Sequence, residues 1–125
     1  MSARYPRAAM NSTSTRRFGS VIRLRPEKVE EYRRLHAAVW PEVLERIARS
    51  GIRNYSIFLR RVAGEPHLFS YFEYTGSDWE ADERALAADP ATQRWWKLTE
   101  PCQLPLDDRA PGEWWSAMDE VFHTD

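Results

Sequence analysis

Two stretches of the sequence are apolar on both faces of the strands that they predict. Residues 52–61 read IRNYSIFLRR and residues 67–74 read HLFSYFEY. In the first stretch Tyr55 and Ile57 share one face while Phe58 takes the other, because side chains of a strand alternate. A sheet with two apolar faces must be covered on both sides. The few predicted helices cover one side, so we predict that a second copy of the sheet covers the other and that the protein is a homodimer.

The first third of the chain predicts a strand followed by an interrupted helix. Residues 17–25 alternate as a strand that ends before Pro26. From Glu27 to Ser50, apolar groups recur at steps of three and four and define one helical face. Pro41 lies inside this pattern, and proline removes a helical hydrogen bond and crowds the preceding turn. The helix is therefore expected to kink at Pro41, or to restart with Pro41 in its first turn.

The second half predicts two further helices and a last strand. A helix is expected from Ser77 or Asp78 to about Ala88, then a break near Asp89-Pro90 and a short helix that carries Trp95 and Trp96. A last strand is expected near residues 118–123. The resulting order, β-α-β-β-α-β, is ferredoxin-like. With both sheet faces apolar, we predict an α+β fold of the dimeric α/β-barrel type.

Length and charge limit what the chain can be. At 125 residues it is expected to form one domain, residues 17–125, after a polar N-terminal tail, residues 1–16, that we predict to be disordered. With 18 Lys and Arg against 19 Asp and Glu, no basic patch predicts nucleic acid or an anionic membrane as a partner. A single cysteine and the lack of a secretory leader or a membrane-length apolar run indicate a cytoplasmic protein.

Two polar aromatic side chains interrupt the apolar face of the first helix. Tyr32 and His36 are four residues apart, so both point to the same side and can contact one ligand. Pro41 makes the next turn irregular. Imidazole is suited to proton transfer near neutral pH, which makes His36 the first candidate catalytic residue. The alternative is a core histidine whose hydrogen bonds are satisfied.

Other aromatic residues are candidates for a binding wall. Tyr55 and the pair Trp95-Trp96 can present flat faces to a ligand, although the same groups also serve as core packing. Adjacent tryptophans on a helix point about 100° apart, so one of the two is expected to face a cavity. The three histidines, at positions 36, 67 and 123, lack metal-ligand spacing, and no glycine-rich phosphate loop is present. No metal or cofactor is predicted.

Four segments together resemble the L-rhamnose mutarotase family over residues 17–123. They read EEYRRLHAAVWPEV, NYSIFL, QRWWK and, near the end, EVFH. The resemblance implies a ferredoxin-like dimer that interconverts the α and β anomers of a 6-deoxy sugar without metal or organic cofactor. It places the catalytic histidine on His36 and the sugar contacts on Tyr32, Tyr55, Trp95 and Trp96. The segment EPCQLPLDDRAPGEWW departs from the family pattern, so L-rhamnose is the expected substrate and L-fucose is the alternative.

The residues fit the chemistry that this family implies. Opening a pyranose requires a proton delivered to the ring oxygen and one removed from the anomeric hydroxyl. His36 is expected to act as the acid at the ring oxygen, with no base identified. Two alternatives remain. One is a monooxygenase or haem-binding protein of the same dimeric barrel architecture, since fold alone does not determine function. The other is a sugar-binding dimer without activity.

Overall fold

The computed structural model describes residues 15–125. Its elements are, in order, β1 (Arg16–Leu24), α1 (Val29–His36), α2 (Pro41–Arg49), β2 (Ile52–Val62), β3 (Glu65–Tyr74), α3 (Trp79–Ala88), α4 (Pro90–Thr99), β4 (Gln103–Leu104) and β5 (Ser116–Ala117). Short 3-10 turns at Pro26–Lys28 and Glu100–Cys102 precede α1 and β4. The N-terminal tail predicted for residues 1–16 lies outside the described residues up to position 14. Arg16 already belongs to β1, one residue before the predicted domain start.

The strands form one antiparallel sheet with β1 near its centre. The order is β2-β3-β1-β4, and β5 also pairs with β1. Because β3 occupies one edge of β1, β4 and β5 share the other edge and act as two parts of an interrupted fourth strand. The helices lie against one face of this curled sheet. This arrangement confirms the predicted α+β, ferredoxin-like architecture.

Proline and aspartate set the helix boundaries. The first helix ends at His36 and the chain restarts at Pro41, which occupies the first turn of α2, where a missing N–H costs nothing. Asp78 caps α3 by accepting from the Ala81 N–H, and Asp89 caps α4 by accepting from the Thr92 N–H. Both helices therefore begin where the sequence predicted, after Asp78 and after Asp89. No helix within residues 15–125 has both the length and the apolar character needed to cross a membrane.

The helix-covered face of the sheet holds the core. Phe18, Ile22, Leu68 and Phe72 are at most 2% exposed. Phe18 and Phe72 are register partners on β1 and β3, and their rings stack with centroids 4.6 Å apart. Full burial of each such side chain contributes about 1.5–3 kcal/mol relative to exposure. This face therefore anchors the helices that carry the candidate site residues.

The opposite face of the sheet carries one apolar row, flanked by rows that hold Arg23, Arg60 and Glu73, so it is only partly the apolar face that was predicted. Strand pairing places Phe58, Phe69 and Val21 in one row across β2, β3 and β1. Phe58 is 64% exposed, which is unusual for a large aromatic side chain in the middle of a strand. We call this row, together with the neighbouring Val62, the outer face. Within the described residues no helix packs on it.

Two strand predictions were wrong in their bounds. β3 begins at Glu65 rather than at residue 67, because Ala63 and Gly64 adopt positive φ angles and form a tight hairpin. The last strand is Ser116–Ala117 rather than residues 118–123. Beyond it, the chain is held by the ion pair of Arg17 with Glu120 instead of by a strand ladder. A strand of two residues is too short to show an alternating pattern of apolar and polar side chains, so the sequence could not locate β5.

Candidate active site

A cavity of about 350 Å³ lies between the helix-covered sheet face and residues of all four helices. Its wall is mostly apolar, and it is lined by His36, Val39, Val43, Leu44, Ile47, Tyr55, Ile57, Leu86, Thr92, Trp95 and Trp96. A smaller polar recess shares part of this wall and adds Tyr32, Thr99, Glu100, Gln103 and Trp115. The five predicted site residues all line one or both of these spaces. The site thus has an apolar part and a polar part with His36 between them.

The hydrogen bond of His36 determines its tautomer. Its Nδ1 lies 3.0 Å from the backbone carbonyl oxygen of Tyr32. A carbonyl only accepts, so Nδ1 carries the hydrogen in the neutral ring and Nε2 carries the lone pair. The ring stacks on Tyr32 at 4.1 Å and meets the Trp95 ring edge-on at 5.4 Å. Packing and hydrogen bonding therefore fix the imidazole and leave Nε2 as the nitrogen that a bound molecule can reach.

Burial also sets the charge of His36. Desolvation lowers the pKa of the imidazole below its ordinary value, and the hydrogen bond to the Tyr32 carbonyl offsets this only partly. At neutral pH His36 is therefore mainly uncharged, with an acceptor at Nε2. This state can take a proton from a hydroxyl group and later return it.

Tyr32 lies deeper than His36 and contacts the loop after α4. Its side chain is buried, and burial raises the pKa of its phenol well above the ordinary value. The Gln103 amide nitrogen donates a hydrogen bond to the Tyr32 hydroxyl oxygen at 3.3 Å. The hydroxyl therefore stays protonated at neutral pH and serves as a hydrogen-bonding group, not as an ion.

A bulge in β2 brings Tyr55 to the cavity. The register shifts between Arg53 and Ser56, so Asn54 and Tyr55 together face Phe72 of β3. Asn54 adopts a φ of 52°, a left-handed conformation that asparagine tolerates better than most residues. Without the extra residue, Ile52 and Tyr55 would face opposite sides of the sheet. The bulge places Tyr55 and Ile57 on the helix-covered side and sends Phe58 to the outer face.

The side chain of Asn54 supports this bulge. It donates to the Glu73 carboxylate at 2.9 Å, and the same carboxylate accepts from the Tyr71 hydroxyl at 2.7 Å. These hydrogen bonds lower the pKa of Glu73, so it is ionised at neutral pH. Asn54 was not singled out in the sequence, although an asparagine directly before a candidate tyrosine is a usable signal for a left-handed position.

Both tryptophans of α4 line the site, as the family resemblance implied, whereas helix geometry alone favoured one. Trp95 is 6% exposed and its ring meets Trp40 edge-on at 5.2 Å as well as His36. Trp96 is half-buried and packs against two core clusters. The cavity and the recess extend along the side of α4. Two residues that point 100° apart on this helix can therefore both line the same space. The pair therefore forms a continuous aromatic wall.

The segment after α4 supplies Gln103, which the sequence did not single out, and the tryptophan pair Trp114-Trp115. Gln103 and Trp115 line the polar recess, and Trp114 donates its indole N–H to Gln103 at 2.7 Å. From the sequence, the pair Trp114-Trp115 is a less informative candidate for sugar stacking than Trp95-Trp96, and its segment departs from the family pattern. Loop residues are located by long-range contacts, here between Arg23 and the carbonyl of Pro105, which no local periodicity reveals. Cys102 is buried beside this loop, and burial raises the pKa of its thiol, which disfavours a nucleophilic role.

Comparison with known proteins gives a consistent result. The profile of the L-rhamnose mutarotase family matches residues 17–124. The chain belongs to the L-rhamnose mutarotase family. An L-rhamnose mutarotase of Lactiplantibacillus plantarum is 35% identical over 109 residues, which cover 87% of this chain and 98% of that protein. One of Bacillus subtilis is 35% identical over 112 residues, covering 88% and 99%.

A solved structure supports the fold of this family member. The crystal structure of an L-rhamnose mutarotase from Formosa agariphila superimposes with a TM-score of 0.64. The two chains are 20% identical, and the match covers 87% of this chain and 98% of the other. The family profile and the relatives confirm the predicted family resemblance, and membership of the mutarotase family disfavours the monooxygenase alternative. Among residues 15–125, no group of three His, Cys, Asp or Glu side chains is placed to hold a metal ion.

Proposed function

We propose that the protein is an isomerase that interconverts the α and β anomers of L-rhamnose. The family profile and the relatives named L-rhamnose mutarotase support the reaction and the sugar. The observation that carries the proposal is the position of His36, which lines a cavity that is large enough for a monosaccharide and is walled by Trp95 and Trp96, while its Nδ1 is held by the Tyr32 carbonyl.

In this proposal His36 moves one proton between two oxygens of the sugar. Its neutral Nε2 removes the proton of the anomeric hydroxyl, and the imidazolium that forms delivers a proton to the ring oxygen. Both oxygens are bonded to the anomeric carbon, so one nitrogen can serve both. The C–O bond of the ring breaks, the aldehyde rotates, and the reverse steps close the ring on its other face. His36 thus fills the predicted role of acid at the ring oxygen after first acting as the base.

The remaining site residues are proposed to hold the sugar. Tyr32 and Tyr55 bind hydroxyl or ring oxygens, and Trp95 and Trp96 pack on an apolar sugar face. The apolar part of the cavity suits the methyl group of a 6-deoxy sugar, which needs no hydrogen-bond partner. A hexose with a hydroxymethyl group would bury a polar group there at a cost.

We propose that no cofactor takes part. The reaction transfers protons and moves no electrons between redox states, so the side chains named above are chemically sufficient. Activity is expected to survive exhaustive chelation of the purified protein. Activity that returns only on addition of a metal ion would contradict this.

The test is direct measurement of anomer exchange. Saturation of one anomeric proton signal of L-rhamnose in an NMR experiment should transfer to the other anomer faster in the presence of the protein. L-fucose measured in parallel decides between the two candidate sugars. Exchange of neither sugar above the spontaneous rate, with sugar binding still observed, would favour a non-enzymatic sugar-binding protein.

We also propose that the protein is a homodimer joined through the outer face. The row of Phe58, Phe69 and Val21 is apolar and partly exposed, and burying it would stabilise a chain of this size. Light scattering at micromolar concentration should give about twice the chain mass of 14.7 kDa. We further propose a cytoplasmic location, with which the buried thiol of Cys102 is compatible.

A further inference from the structure

Three side chains form a hydrogen-bonded chain that leads from the loop after α4 to the polar recess. The Trp114 indole nitrogen lies 2.7 Å from Oε1 of Gln103. The amide nitrogen Nε2 of Gln103 lies 3.3 Å from the Tyr32 hydroxyl oxygen. Gln103 is only 6% exposed, so water does not readily compete for these contacts. None of the steps proposed above requires Gln103 or Trp114.

Which group donates in each of these two hydrogen bonds follows from the chemistry of the side chains. An indole N–H only donates, so the group of Gln103 that faces Trp114 must be the carbonyl oxygen. The amide NH₂ then faces Tyr32 and donates to its hydroxyl oxygen. In the described part of the chain the Tyr32 hydroxyl makes this one hydrogen bond. Its own proton is therefore left to point into the recess.

We propose that Gln103 is a positioning residue that holds the Tyr32 hydroxyl as a hydrogen-bond donor to the ring oxygen of the sugar. In a pyranose with an unmodified anomeric hydroxyl, the ring oxygen is the one oxygen without a proton, so it can only accept. A Tyr32 hydroxyl that is held as a donor therefore pairs best with the ring oxygen. This inference rests on the proposed mutarotase function and extends it to Gln103 and Trp114.

The arrangement complements His36. Its ring stacks on Tyr32 at 4.1 Å, and its Nε2 accepts a proton while the Tyr32 hydroxyl donates one. A hemiacetal offers the matching pair on one carbon, an anomeric hydroxyl that donates and a ring oxygen that accepts. The hydrogen bond from Tyr32 becomes stronger as negative charge develops on the ring oxygen during ring opening. Gln103 should therefore affect turnover more than sugar binding.

The test reverses the hydrogen bond between residue 103 and Tyr32, so that Tyr32 donates to residue 103 instead of accepting from it. In Gln103→Glu, a carboxylate accepts from both Trp114 and Tyr32, which turns the Tyr32 proton away from the sugar. We expect kcat for L-rhamnose to fall by about tenfold or more, with a smaller change in KM. Gln93→Glu is the matched control, because Gln93 is exposed and donates to the Ala87 carbonyl outside the site. The control should keep the wild-type kcat.

Gln103→Leu covers the case in which the buried glutamate prevents folding. It leaves the Tyr32 hydroxyl unoriented, so kcat should fall by roughly 2- to 13-fold, the value of one neutral hydrogen bond. In a Tyr32→Phe background, both Gln103 substitutions should have no further effect on kcat, because their action runs through the missing hydroxyl.

The outcomes separate this inference from the proposed function. Wild-type protein that exchanges no anomers refutes the function. Wild-type exchange that Gln103→Glu and Gln103→Leu leave unchanged refutes the role of Gln103 alone. An equal loss of kcat with and without the Tyr32 hydroxyl also refutes it, since Gln103 would then act by another route.

Discussion

Protonation of His36 should switch anomer exchange off as the pH falls. Burial lowers the pKa of the imidazole from its ordinary 6.5, and the proposed first step requires the neutral form. A group with a pKa of 6.5 is already about three-quarters neutral at pH 7, so a lower pKa can raise the neutral fraction by at most about 1.3-fold there. The rate should therefore be nearly flat above pH 7 and fall through a midpoint below 6.5.

The assay is saturation transfer between the anomeric protons of L-rhamnose, measured from about pH 5 to pH 8. The spontaneous exchange at each pH is subtracted. His36→Ala and His36→Gln should both lower the rate at neutral pH by about 10²–10⁴-fold, the usual contribution of a general acid–base group. Glutamine keeps polarity and much of the volume but transfers no proton. Equal losses in the two variants would thus assign the effect to proton transfer rather than to packing.

The reasoning has two specific points of failure. If the rate falls as the pH rises through the lowered pKa, His36 enters the reaction protonated and acts first as the acid. If folded His36→Ala exchanges anomers at the wild-type rate, the imidazole is structural. Circular dichroism and the elution volume of each variant provide the folding control, and both should match the wild type because His36 borders a cavity and is not fully buried.

Three further predictions concern binding, the bulge and the outer face. Tyr55→Phe should raise the KM for L-rhamnose by roughly 2- to 13-fold with little change in kcat, and an unchanged KM would remove Tyr55 from the sugar contacts. Asn54→Ala should lower the free energy of unfolding in urea by about 1–2 kcal/mol, and more than Asn54→Gly does, because glycine accepts the positive φ of this position. Phe58→Glu should yield a monomer by light scattering, and a persistent dimer would place the interface elsewhere.

Much of the site was predictable because it lies on regular elements. The spacing of Tyr32 and His36 by one helical turn is enough to put both rings on one face, and their 4.1 Å stacking follows. Alternation in β2 correctly grouped Tyr55 with Ile57. The sequence did not show that a bulge was needed to turn that group towards the helices, because the strand alone does not fix which side of the sheet will be covered.

The contact between Gln103 and Trp114 could not be predicted, for a different reason. Gln103 and Trp114 are eleven positions apart and meet only because β4 and β5 both pair with β1. Each of these strands is two residues long, so neither has a periodicity that a sequence pattern can reveal. Backbone pairing to a distant strand, rather than local propensity, locates this part of the site.

The break before Pro41 explains how one short segment can carry so much of the site. Because proline cannot continue the hydrogen bonds of α1, the helix ends at His36 and Trp40 takes an extended conformation. That change of direction lets the Trp40 ring meet Trp95 at 5.2 Å, and Trp95 in turn meets His36 at 5.4 Å. A continuous helix would carry Trp40 onward along the face of Tyr32 and His36. The proline therefore helps to pack one side of the imidazole while Tyr32 packs the other.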